Sequence, residues 1–405
     1  EAGGHVRVAV GSQDPDVWGG VTLAEGAEAG AAEDVDIGDM NGDGYPDVIV
    51  ACELAHLIYF ENPGPDARTA RWKRVIPTVT RNRGSYIRVF LADFDRDGRP
   101  EVVAPNKGEQ NPPISTAERH AISWFALPAD PLKGDAWVEH ELTRVRIPIN
   151  SQPVDLDGDG DLDVVAGSRG EMRIFWFENV TEDEVAFAEH AIRIDGRTIV
   201  PPDARPEHLR DVETPLITGF NFAFADLNGD GRLDIVVAEA GRRLVWLEQP
   251  ADTDATWNTH TIGHMRPDVL VGFALADING DGRLDVMAGS YSRGTSDRDG
   301  ARTPDDQLRR LAWYENTGTS EGWTRHDISR RKRGMFDKFI ARDMDGDGDA
   351  DFLSTRGNSA PYDGVFWLEQ VRTTEPAAAF QPARRVDSAE MPLPADGGGC
   401  DVGRG

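Results

Sequence analysis

Positive charge is scarce in this chain. Lys and Arg number 43 against 71 Asp and Glu over 405 residues, a formal net charge of −28. With no basic surplus to meet a phosphate backbone, nucleic acid is excluded from the expected partners. Cysteine is almost missing as well. Only Cys52 and Cys400 occur, so a disulfide framework is not what stabilises the fold. Cys52 ends an apolar run and reads as an inert core thiol. No apolar stretch approaches the roughly 20 residues that a membrane-spanning helix needs. Neither H-E-x-x-H nor a Gly-rich phosphate loop opening a helix is present, so the chain offers no ready-made catalytic signature.

What is abundant is acid, and it is patterned. A nine-residue stretch recurs six times, as DMNGDGYPD, DFDRDGRPE, DLDGDGDLD, DLNGDGRLD, DINGDGRLD and DMDGDGDAD. Positions one, three, five and nine are Asp39, Asn41, Asp43 and Asp47 in the first copy, and Asp93, Asp95, Asp97 and Glu101 in the second. They are Asp155, Asp157, Asp159 and Asp163 in the third, and Asp226, Asn228, Asp230 and Asp234 in the fourth. The fifth supplies Asp277, Asn279, Asp281 and Asp285, and the sixth Asp343, Asp345, Asp347 and Asp351. Position six is always Gly. Oxygen side chains at alternating positions, with a Gly for the sharp turn, are what a hard cation such as Ca²⁺ requires, and a position-seven carbonyl would complete the shell. About six structural Ca²⁺ are therefore expected. The copy ending in Glu101 should bind most weakly, because the longer side chain must reposition its carboxylate. An acidic solvated turn would explain neither the fixed Gly nor the repetition.

The helix-flanked form of such a loop needs a bidentate Glu at position twelve. Here position twelve is Val50, Ala104, Ala166, Val237, Ala288 or Ser354, and the following residues are short β-prone runs such as VIVA and IVVA. Further strands follow each loop: LIYFEN, IFWFEN and LAWYEN are of one kind, WVEHEL, WNTHTI and WTRHDI of the next. An apolar strand such as FNFAFA precedes the loop. The unit is thus strand A, loop, strands B, C and D, at 51 to 71 residues per copy. Four antiparallel strands repeated in series predict an all-β, six-bladed β-propeller with calcium-binding A–B loops, seven blades being the alternative count.

These residues resemble the FG-GAP/VCBS repeat family, whose D-x-[DN]-x-D-G-x-x-D loops bind Ca²⁺ in propeller blades. The likeness covers residues 32–370 or so and is similar to that of integrin α-subunit heads, bacterial surface proteins, some rhamnogalacturonan lyases and fungal aldos-2-ulose dehydratases. It implies fold and metal, and it leaves function open. The expected domain is 1–388, with the strand HVRVAV (5–10) or the segment near Phe380 closing the last blade, and 389–405 as a flexible tail. A chain that begins at Glu1 without Met, carrying calcium loops that are saturated outside cells, is expected to be secreted or periplasmic.

Repetition allows the scaffold to be subtracted. Nine of ten tryptophans fall on two strand positions and read as packing; Trp18 alone has no counterpart. His140, His190, His260 and His326 belong to the D strand, whereas His208 and His264 do not. The B–C and D–A connections must emerge opposite the loops. There lie His56, His120, Tyr86, Tyr291 and Tyr362, together with Arg83, Arg146 and Arg266. Five residues before each first loop Asp stand Asp34, Arg88, Asn150, Asn221, Gly272 and Lys338, five of the six polar, a series at the inner strand that suits a polyhydroxylated or acidic sugar. Arg356 joins this ligand-binding set. Two functions are carried forward. One is a secreted propeller binding carbohydrate at the basic ends opposite the loops. The other is a polysaccharide lyase or sugar dehydratase there, with His208, His264, Tyr86 and Glu239 as acid–base candidates. Solvated loops and a water-filled channel would explain the same residues without a ligand.

Overall fold

The computed structural model describes residues 4–11, 18–114, 116–195, 217–239, 243–265, 268–291, 311–319, 322–329, 334–357 and 364–371. Among these residues the regular structure is β, with two short 3₁₀ turns at Ala27–Ala29 and Gly64–Asp66. Strands β1 (Gly4–Gly11) and β2 (Trp18–Gly26) pair as a ribbon. The first blade is β3 (Ala32–Gly38), β4 (Asp47–Cys52), β5 (Leu57–Glu61) and β6 (Lys73–Val75). The second is β7 (Phe90–Ala92), β8 (Glu101–Pro105), β9 (Arg119–Ala126) and β10 (Val138–Arg146). The third is β11 (Pro148–Val154), β12 (Asp163–Ser168), β13 (Arg173–Asn179) and β14 (Phe187–Ala191). A two-residue strand, β15 (Arg193–Ile194), runs parallel to the outer edge of the fourth sheet. That sheet is β16 (Ile217–Ala225), β17 (Asp234–Glu239), β18 (Arg243–Glu248) and β19 (Thr256–His264). The fifth blade is β20 (Val269–Ala276), β21 (Asp285–Tyr291), β22 (Leu311–Asn316) and β23 (Trp323–Ser329). The sixth has three described strands, β24 (Phe339–Arg342), β25 (Asp351–Arg356) and β26 (Gly364–Leu368).

In every blade the strands pair in chain order, with the acidic loop joining the first to the second. The fold class is that of a six-bladed β-propeller. β1 pairs with β2, and the segment near Phe380 lies outside the described residues. The chain divides into two compact units, Glu1–Val10, Gly20–Phe220 and Gln249–Asn258 in one, and Gly11–Gly19, Asn221–Glu248 and Thr259–Gly405 in the other.

The B strands read as unbroken apolar runs because they are covered on both faces: every residue of β4, β8 and β12 is buried. In the first unit Phe94, Val103, Ile122, Val164, Phe175 and Phe177, drawn from successive blades, share one cluster. In the second unit Trp246, Leu270, Phe273, Val286 and Tyr314 do the same. Removing that surface from water is the main driving force of such a fold. Space between blades is tight. A Cβ on Gly167 would meet the Thr218 carbonyl at 2.4 Å, so only Gly permits the approach of the following strand.

The W-x-x-H strand is packing, as its repetition implies. Strand register sets His140 opposite Trp124, His190 opposite Trp176 and His326 opposite Trp313. Each imidazole stacks on its indole, with centroids 4.0, 4.6 and 4.2 Å apart, and His260 covers Trp246 at 4.2 Å. In three blades the ring also reaches a C-strand carboxylate: Nε2 of His190, His260 and His326 lies 2.7, 2.7 and 2.8 Å from Glu178, Glu248 and Glu315. Charge-assisted contacts of this kind pin the outermost strand to the blade.

Candidate functional site

The loops are built alike. The first Asp uses both carboxylate oxygens on backbone N–H groups: Asp39 accepts from Gly42 (2.8 Å), Asp43 (3.0 Å) and Gly44 (2.8 Å). Asp226 and Asp277 repeat the set, and Asp155 and Asp343 accept from the N–H groups of positions four and six. This wraps the chain around the carboxylates. The turn demands left-handed backbone at position six, where Gly44 has φ 87° and Gly231 φ 86°. Position four is also left-handed and is Gly in five loops; in the second it is Arg96, at φ 60°.

Position nine does a different job. Asp47, Asp163, Asp234, Asp285 and Asp351 are buried at the base of the loop, each accepting from the N–H of position two. Four also accept from the backbone N–H of a residue at or just past the end of strand C: Asn62, Asn179, Asn316 and Gln370, each at 2.8 Å. Glu101 fills the role in the second loop, bonding Phe94 N–H at 3.0 Å. Burial pushes Asp47 up to about 6 and Glu101 and Asp163 up to about 7, and it raises Asp285 in the same direction. A carboxylate forced underground beside other carboxylates is a strong ligand for a cation that can replace its lost water.

The donor sets fit a hard cation. Carboxylate oxygens of Asp93, Asp95 and Glu101, of Asp155, Asp157 and Asp163, and of Asp343, Asp345 and Asp347 converge to within 4.8 Å. In the other three loops position three is Asn, and its amide Nδ2 donates to the position-five Asp, as Asn41 does to Asp43 at 3.1 Å. In two of these, Arg232 and Arg283 at position seven form ion pairs with Asp230 and Asp281. The loops are therefore of two chemical kinds, three all-carboxylate and three mixed.

The ligand-binding and acid–base candidates at the opposite ends are held by the blades. The A–B register slips beside Asp34 and beside Asn150, a bulge that re-aims both side chains. Asp34 accepts from Val89 N–H (3.3 Å), and Arg88, 2% exposed, lies 4.7 Å over the Phe220 ring. Asn150 donates to the Phe220 carbonyl, and Asn221 to the Val271 and Asp337 carbonyls, so these amides tie one inner strand to the next. Ser354 donates to the Lys338 carbonyl. Arg83 pairs with Glu139 at 2.7 Å, and the backbone N–H of Arg146 reaches Glu171. Tyr291 bridges to Met335, and Arg356 is buried at the end of β25. Trp18 opens β2 with its indole over Gly11.

Among the acid–base candidates, Tyr86 is buried with its phenol pushed well above its ordinary range by burial. Glu239 sits at the end of β17, ion-paired to Arg243. The carbonyl of His264 accepts from the Tyr314 hydroxyl and Arg325. His208, Arg266 and Tyr362 lie outside the described residues. Cys52 is buried, its thiol pushed up to about 12 by burial, which suits the inert role expected of it.

One group was missed by the sequence reading. Glu53, Lys107 and Arg169 occupy the same register, six residues after the buried loop carboxylate, at the B–C ends of the first three blades. Comparing copies at that position would have found them; searching for residues outside the repeat could not, since they stand within it.

Residues 39–104 and 221–288 match the family model described as FG-GAP-like repeat. No curated protein matches the chain. Among solved structures it is similar to the V. cholerae biofilm matrix protein Bap1, at 12% identity and TM-score 0.37 over 76% of this chain and 42% of that one. It is also similar to BBS1N in complex with ARL6DN, at 11% identity and TM-score 0.37 over 80% of this chain and 87% of that one. The chain thus spans less than half the length of the Bap1 structure. Each segment matched by the family model contains two acidic loops, those opening at Asp39 and Asp93 and those opening at Asp226 and Asp277, with blade strands around them. The two matched segments, 39–104 and 221–288, are thus FG-GAP-like repeats.

Proposed function

We propose that this chain is a secreted or periplasmic propeller whose loops hold about six structural Ca²⁺ and whose opposite blade ends bind a carbohydrate, acidic sugars included. The observation that carries the metal is the sixfold cradle: main-chain N–H groups fix the first Asp while a buried position-nine carboxylate waits below it. Asp, Asn or Glu oxygens from positions one, three, five and nine would hold the ion. Bound Ca²⁺ would supply positive charge that neutralises the loop and binds only the folded state. Support for the ligand comes from the polar inner positions Asp34, Arg88 and Asn150 of the first unit, two of which, Asp34 and Asn150, stand beside a register slip. Mixed charges and amides there suit hydroxyl-rich ligands.

Binding is preferred to catalysis because two of the acid–base candidates, Glu239 and Tyr86, are poorly suited to proton transfer. Glu239 is neutralised by Arg243, and the Tyr86 phenol is held in its protonated form. A panel of neutral and acidic polysaccharides tests both readings. Calcium-dependent retention without new ultraviolet absorbance supports a binder. Growth of absorbance from unsaturated products would instead establish the lyase or dehydratase, and failure to retain any member would refute both. No described helix is long and apolar enough to cross a membrane.

A further inference from the structure

The register shared by Glu53, Lys107 and Arg169 places three ionisable side chains on consecutive blades of the first unit. Two of them satisfy each other. Lys107, 2% exposed, forms an ion pair with Glu53 and donates to the Gln110 carbonyl at 2.6 Å. Gln110 Nε2 closes the group by donating to the other Glu53 oxygen at 3.1 Å. The Glu53 carboxylate is thus shared between two donors already.

Arg169 is treated differently. Its backbone is fixed, with N–H donating to the Ile147 carbonyl at 3.0 Å. Its side chain is half-buried, yet among the described residues the guanidinium has no salt-bridge partner, and Nε is buried without an acceptor. Glu53 is the carboxylate whose field reaches it, and that carboxylate belongs to Lys107. Burial lowers the pKa of both Arg169 and Lys107, and the charge of Arg169 lowers Lys107 further, so the two cations are near neighbours. Three other arginines near these blade ends are paired: Arg83 with Glu139, Arg144 with Glu141, Arg119 with Glu171. A cation withdrawn from water without a partner is costly, and the cost is recovered when an anion arrives.

We propose that Arg169, with Lys107 beside it, is the subsite for the carboxylate of an acidic saccharide, a proposal that rests on the carbohydrate reading above. A guanidinium presents a planar fork that matches a carboxylate in two parallel hydrogen bonds, whereas the charge of Lys107 is already answered by Glu53. A neutral sugar offers nothing for that fork to grip. Discrimination between the two would therefore be located at Arg169.

The test is isothermal titration of the calcium-loaded protein with trigalacturonate, neutral galactotriose and sodium sulfate, for wild type and Arg169→Met. The expected result is at least tenfold tighter binding of trigalacturonate than of galactotriose, with the preference abolished in Arg169→Met and galactotriose affinity kept. Equal trigalacturonate affinity in wild type and variant overturns the Arg169 subsite while leaving carbohydrate binding standing. Arg169-dependent sulfate binding with neither sugar bound overturns the saccharide assignment and shows an anion site of another kind. No binding of any probe overturns both. Should Arg169→Met fail to fold, Arg169→Lys keeps the charge and removes the fork. It should then lose most of the preference, and an unaltered preference would overturn the bidentate assignment.

Discussion

Arg96 stands where five of the six loops have glycine, in backbone at φ 60° that a side chain tolerates poorly. Its partner, Asp161 at 3.6 Å, is too distant and Arg96 too exposed to contribute much. Arg96→Gly is expected to stabilise the calcium-loaded protein by up to about 1 kcal/mol, read as a higher Tm, by removing left-handed strain. A clear loss of Tm would mean that the ion pair or the entropy added to the unfolded chain outweighs the strain. Asp163 gives a prediction of opposite character. Without metal its carboxyl is held up to about 7 by burial, against roughly 3.9 in an unfolded chain. A folded pKa above the unfolded value lends stability that is complete below the unfolded pKa and disappears as pH rises through the folded one. In EDTA the protein should therefore melt progressively lower from about pH 4 to pH 7 and above. Asp163→Asn cannot ionise. It should flatten that slope and, at pH 8, melt no lower than wild type in EDTA but distinctly lower in calcium. A variant equally damaged in both media would show that the hydrogen bonds from Leu156 and Asn179 outweigh the charge.

At the scale of elements, the blades are fastened by amides at the end of strand C. Asn179 Nδ2 donates to the Phe94 carbonyl at 3.0 Å, Gln249 Nε2 to Leu156 at 2.8 Å, and Gln370 Nε2 to Ile278 at 2.6 Å. In every case the acceptor is position two of the preceding blade's loop, so acidic loop and blade contact share a residue. Gln249 is buried, and Gln249→Ala would strand the Leu156 carbonyl at a cost of about 1–3 kcal/mol. The expected outcome is a lowered Tm in calcium together with weaker calcium binding by the loop 155–163. A lowered Tm with that loop's affinity unchanged would separate the two roles. The strands and loops themselves were legible in the sequence, because each copy repeats the same alternation and the same Gly. These amides were not. FEN and LEQ read as ordinary strand ends, and nothing local reveals that Asn179 reaches a carbonyl 85 positions away. The inner-strand residues show the same limit. Asn150 and Asn221 stand out as polar residues in apolar strands, yet the sequence does not disclose that their amides bond neighbouring carbonyls. Arg169 escaped for the opposite reason: it looks like one more solvated arginine, and only its unpaired burial distinguishes it.

For the whole molecule the governing quantity is charge. The formal −28 concentrates in the six loops, which hold 23 acidic residues, and six divalent ions would bring it to about −16. Two consequences can be separated experimentally. Ions bound only by the folded chain raise stability by RT ln(1 + [L]/Kd) at each site, so the Tm should climb steadily with calcium concentration. Self-repulsion among the unneutralised loops, by contrast, is long-range and is screened by simple salt, since the Debye length falls from about 30 Å at 0.01 M to about 3 Å at 1 M. In EDTA, raising NaCl from low concentration to about 0.5 M should therefore raise the Tm, because carboxylates at positions one and five, and at position three where it is Asp, repel one another without a cation between them. In saturating calcium the same salt series should have a smaller effect, the loops being already neutralised. Differential scanning calorimetry over both series reads the contrast directly. Equal salt dependence in EDTA and in calcium would mean that the loops do not take up the ion, and would remove the basis for assigning them as metal sites.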